Sequence, residues 1–117
     1  MSSDPEKTAK LEDLLNSAWR EYRGDIQERL DAVRNACAMA QTGSLTDEFR
    51  AQANSAAHKL AGVLGTFGLK DASRIALEIE TMLAPGAPLN PQQLVRFEEQ
   101  LALIVQGIES RDRQALE

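Results

Sequence analysis

Apolar residues recur at steps of three and four along almost the whole of this 117-residue chain, and nowhere do they alternate with polar ones as a half-buried strand requires. Helices are therefore the regular structure by which the chain can bury its hydrophobic side chains. One stripe runs through Leu11, Leu14, Leu15, Ala18, Trp19 and Tyr22, and a second through Ile26, Leu30, Val33, Cys37 and Ala40. A third takes Ala53, Ala57, Leu60, Leu64 and Phe67, and a fourth Leu69, Ala72, Ile75, Ala76, Ile79 and Leu83. The last takes Leu94, Phe97, Leu101, Ile104, Val105 and Ile108. Punctuation between the stripes has a physical meaning. Asp4 is a side-chain N-cap with Pro5 at the first turn, Gly24-Asp25 reads as a break followed by a new cap, and Gly43 ends a helix. Thr46 starts the next, and Asp71 puts a negative charge in a first turn, where the helix dipole favours it. The segment Pro85-Gly86-Ala87-Pro88 cannot continue a helix, and Asn90-Pro91 opens the last one.

These signals predict helices over about 5–22, 25–41, 46–66, 70–84 and 91–110. The expected architecture is all-α: an antiparallel up-down four-helix bundle with an additional N-terminal helix packed at its side or end, forming a single domain over 1–117. The polar residues after Ser110 read as a fraying end.

Charge narrows the function. A net charge of −5 and a pI near 4.9 offer no basic cluster to displace counterions from nucleic acid, so the expected partner is protein. Cys37 is the single cysteine, so no internal disulfide forms, and its place on an apolar stripe reads as core. The polar N-terminus lacks the apolar stretch of a signal peptide, and the longest aliphatic run, Leu101 to Val105, is far too short to span a bilayer. The expectation is a cytoplasmic protein with no membrane contact.

His58 is the only histidine. At roughly 100° per residue, it shares a face with Asn54, Ser55, Ala61, Gly62 and Gly65, opposite the stripe of Ala53, Ala57, Leu60 and Leu64. An interior helical glycine costs up to about 1 kcal/mol relative to alanine, so a pair of them beside the histidine needs a reason. Clearing a face around one nucleophile is such a reason, because it lets another protein's active site close over the ring.

The residues from Ala57 to Leu69, AHKLAGVLGTFGL, resemble the signature of histidine-containing phosphotransfer (HPt) domains, roughly His-x-Leu-Lys/Ala-Gly followed by a second glycine-containing turn. The resemblance implies that His58 accepts a phosphoryl group from the aspartate of a response-regulator receiver domain and passes it to another. It matches Gly62 to the family's glycine one turn after the histidine, and Phe67-Gly68 to the apolar-Gly pair that ends the helix. Ala61 departs from the pattern, since many members carry there a lysine thought to help neutralise the phosphoryl group. Lys59 is the lysine available here, about 100° around the helix. The resemblance also puts a polar residue on the following helix beside the second ring nitrogen, and Glu80 is the best-placed candidate. Asn54 and Ser55 are candidate phosphate contacts, and the expected docking face is Ala51, Asn54, Ser55, His58, Ala61, Gly62 and Gly65 with Lys59 at its side.

Neutral imidazole is a good nucleophile near physiological pH, and its N-phosphorylated form gives the group up readily. A metal site is not expected, because one histidine and one cysteine on a different helix's core face supply no ligand set. No glycine-rich nucleotide loop with a following lysine is present, so the chain is not expected to be a kinase. It reads as a carrier without cofactor of its own, with magnesium and catalysis supplied by the receiver partner. Expected partners are receiver domains and a hybrid histidine kinase, and the expected state is a monomer. Two alternatives stay open: a non-phosphorylated helical adaptor using the same face, and a kinase-type dimerisation bundle. The identity of the receivers, the direction of phosphate flow and the pathway are not readable, nor is whether the chain is free-standing or part of a larger protein.

Overall fold

A computed structural model describes residues 4–116, and among them it contains four α-helices and no strand. They are α1 (Pro5–Gln41), α2 (Asp47–Thr66), α3 (Lys70–Met82) and α4 (Pro91–Leu116). Each helix packs on its sequence neighbour and α4 closes back on α1, which gives the up-down bundle expected from the stripes. The core takes one layer from every stripe: Ile26, Leu30 and Val33 from α1, Leu60 and Leu64 from α2, Ile79 from α3, and Phe97, Ile104 and Ile108 from α4 are all buried.

The caps follow the sequence signals. Asp4 accepts from the Glu6 amide and Thr46 from the Phe49 amide. Asn90 and Gln93 exchange side-chain and backbone bonds in a capping box. Gly68 adopts φ +78° in a Schellman turn, with Leu69 N–H donating to the Leu64 carbonyl and Gly68 N–H to that of Gly65.

The break at Gly24-Asp25 does not occur. α1 passes straight through it, so the additional N-terminal helix is the leading part of the first bundle helix. Trp19 and Ile26, two turns apart on one face and both buried, explain why. Covering roughly 200 Å² of indole at about 25 cal/mol per Å² contributes about 5 kcal/mol, against a cost near 1 kcal/mol for one helical glycine. The continuous helix puts both side chains into the same bundle. Arg23 donating to Gln27, and Gln27 to Asp31, add side-chain bonds along the same stretch.

Residues 111–116, in the polar end after Ser110, are also helical and packed. Arg111 and Ala115 are buried, and the Trp19 indole N–H donates to Asp112 at 2.7 Å. Arg23 pairs with the same carboxylate at 2.9 Å, and Arg20 donates to the Ala115 carbonyl at 2.6 Å. Trp19 also meets Phe67 edge-on at 5.2 Å and lies under the Arg111 guanidinium. Of the expected leading stripe Trp19 is buried and Ala18 half-buried, but Leu11, Leu14, Leu15 and Tyr22 remain 40–67% exposed. At 1.5 Å per residue α1 is roughly 55 Å long, matching the 54 Å length of the described bundle, while α2 already ends beside Trp19 and Tyr22.

Candidate functional site

On α2, positions 50, 54, 58, 61 and 65 fall on one side of the helix, and this side grips α3. Arg50 donates to the carbonyls of Met82 and Leu83 at the end of α3 and to that of Ala87 in the following turn. A cation there meets carbonyls that have no partner within their own helix. One turn on, Asn54 Nδ2 donates to the Glu80 carbonyl at 2.7 Å. Near the other end of the contact, Ser73 Oγ donates to the Ala61 carbonyl at 2.7 Å.

Between these clasps lies the histidine. His58 Nδ1 is 3.1 and 3.2 Å from the two carboxylate oxygens of Glu80. A carboxylate only accepts, so Nδ1 carries the proton in this contact, and in the neutral ring Nε2 presents its lone pair. The His58 side chain is 69% exposed and that of Glu80 29%. The pair therefore combines a hydrogen-bonded nitrogen with an open one.

The two glycines beside His58 have different causes. A Cβ on Gly62 would meet nothing within 4 Å, so no contact inside the molecule requires glycine there. A Cβ on Gly65 would come 3.2 Å from Ser73 Oγ, so Gly65 is what lets α3 approach.

The expected docking face thus divides. His58 and Gly62 are exposed, and Ala51, Ser55 and Lys59 open onto a groove between α1 and α2 that Asp25, Glu28 and Arg29 also line. Ala61 does not belong to that face: it is buried against α3, because the angle that carries it toward His58 also carries it into the α2–α3 contact. Asn54 turns the same way and spends its amide on Glu80. Glu80 lies where the sequence reading put it, beside the imidazole. Arg50 and Ser73 were missed, since their partners are backbone carbonyls, which leave no mark in a sequence. Among the described residues no three His, Cys, Asp or Glu side chains gather as a metal would require, and no helix is long and apolar enough to cross a membrane.

The profile of the Hpt domain family matches residues 17–113, which takes in α2, α3 and the His58–Glu80 pair. The chain belongs to the Hpt domain family. An Hpt domain is a phosphotransfer carrier of phosphorelay signalling, and the family works with receiver domains and kinases. Leu11, Leu14 and Leu15 lie ahead of the matched Hpt region. Among curated proteins, Protein RcaC of Microchaete diplosiphon is 30% identical over 95 residues, which cover 81% of this chain but only 15% of that protein. No solved structure matches.

Proposed function

We propose that this Hpt domain carries the phosphoryl group on His58 Nε2, taking it from the aspartyl phosphate of a receiver domain and returning it to another. The observation that carries the reading is the open imidazole whose Nδ1 faces Glu80 at 3.1 Å. In the forward step the Nε2 lone pair forms a bond to phosphorus while the bond from phosphorus to the aspartate oxygen breaks, and the carboxylate leaves. The ring becomes an imidazolium with its proton still on Nδ1, and the Glu80 carboxylate offsets that charge. Reversal onto a second receiver follows the same path.

The remaining chemistry belongs to the partner. Magnesium and the groups that stabilise the transferring phosphoryl are supplied by the receiver, which already holds an acyl phosphate. Gly62 gives that partner close approach, and Ser55, Ala51 and Lys59 lie on the side from which it arrives. Lys59, the residue after His58, stands in for the lysine that many members carry at the position of Ala61. In this reading the domain acts as a monomer, in the cytoplasm, between a hybrid histidine kinase and its receivers.

The experiment is transfer from a panel of phosphorylated receiver domains to the wild-type chain and to His58→Gln. Label on the wild type alone supports the carrier. Binding of a receiver without any labelling would favour the adaptor that uses the same face.

A further inference from the structure

We propose that Asn54 is a positioning residue for the His58–Glu80 pair: by donating to the Glu80 carbonyl it holds the last turn of α3, and so keeps the carboxylate where it selects the imidazole tautomer. The proposal rests on the reading of His58 as the phosphoacceptor and adds a residue to it.

Glu80 needs outside support for a physical reason. It lies two residues before the end of α3 at Met82, in a turn whose carbonyls lack the usual intrahelical partners. Its contact with His58 joins two partly solvated side chains, and such contacts contribute too little to hold both in one geometry. Something must fix the backbone from which Glu80 reaches. The Glu80 carbonyl already accepts from Leu83 N–H at 3.2 Å, and Asn54 Nδ2 takes its other side at 2.7 Å. Asn54 is half-buried and stands one helical turn before His58 on the same helix. A single side chain therefore ties the turn that carries the nucleophile to the turn that carries its orienting carboxylate. Arg50 supports carbonyls farther along, those of Met82 and Leu83, but makes no hydrogen bond to Glu80. The other clasp, Ser73 to the Ala61 carbonyl, holds the opposite end of α3. It supplies a control that shares the helix pair without sharing the residue.

Because His58 is the only histidine, a long-range 1H–15N spectrum of the full chain shows one imidazole and needs no assignment. In the neutral ring it reads the ratio of Nδ1–H to Nε2–H directly. The wild type should be mainly Nδ1–H, and Glu80→Ala should revert to the Nε2–H form that a free side chain prefers. Asn54→Ala should lower the Nδ1–H to Nε2–H ratio toward the value seen in Glu80→Ala. Ser73→Ala should lower the melting temperature yet leave the ratio at its wild-type value. A wild-type ratio that already favours Nε2–H, an unchanged ratio in Asn54→Ala, or an equal change in Ser73→Ala would each overturn the proposal. The ratio is read without any receiver, so failure of every receiver to label His58 would remove the proposed function while leaving this comparison to stand or fall alone.

Discussion

Trp19 and Asp112 stand 93 residues apart and share a 2.7 Å hydrogen bond, which ties the leading part of α1 to the end of α4. Trp19→Ala should cost about 3–5 kcal/mol in denaturant unfolding, as for other buried aromatic truncations. Asp112→Ala strips partners from the indole N–H and from Arg23 and should cost about 1–3 kcal/mol. Ending the chain at Ser110 should destabilise it at least as much as Asp112→Ala. If the shortened chain melted like the wild type, the end of α4 would be the fraying tail its composition suggests.

Gly24 tests the continuity of α1. A Cβ there would meet nothing within 4 Å, and the residue is helical. Gly24→Ala should raise stability by about 0.5–1 kcal/mol, through helix propensity and a less flexible unfolded chain. A loss of stability would mean the backbone at Gly24 needs a conformation that alanine resists.

The two glycines near His58 should behave differently. Gly62→Ala should stabilise the helix by up to about 1 kcal/mol, whereas Gly65→Ala must displace Ser73 and should gain less or lose. Gly62→Leu should leave the melting temperature near that of the wild type but slow phosphoryl transfer on the order of a hundredfold, because the partner is held off the ring. Normal transfer by Gly62→Leu would show that the partner does not close over this face.

Cys37 is buried, and burial pushes its thiol above the ordinary range, with the Glu98 charge adding to the effect. A thiol-reactive disulfide reagent should therefore label it slowly in the native state and promptly after unfolding. The sign for stability follows. Below the unfolded thiol's pKa both states are neutral, and as pH rises past it the unfolded state ionises first, so stability falls. Fast native labelling would place the thiol at the surface.

Much of this was legible beforehand because the relevant signals are local. The stripes and the caps at Asp4, Thr46 and Asn90 describe helices without reference to anything distant. Glu80 could be placed because the family resemblance asks for a polar residue on the following helix, and Glu80 flanks the stripe of Ile79 and Leu83 there. The continuity of α1 was not legible, since a Gly-Asp pair is a genuine local stop signal and only the joint burial of Trp19 and Ile26 outweighs it. The order at Asp112 was hidden for the same reason, its partners lying on α1. Ala61 shows the limit of a helical wheel: a residue 60° from His58 can face solvent or a neighbouring helix, and only the position of α3 decides. Arg50, Asn54 and Ser73 bind carbonyl groups, and every residue has one.

The central claim is that His58 carries the phosphoryl group, and the direct measurement is incubation of the chain with phosphorylated receiver domains followed by the stability of any label. Phosphate that appears on the wild type, is absent from His58→Gln, and is lost in acid but kept in alkali is the predicted result. Label that persists on His58→Gln, or that survives acid, would contradict it.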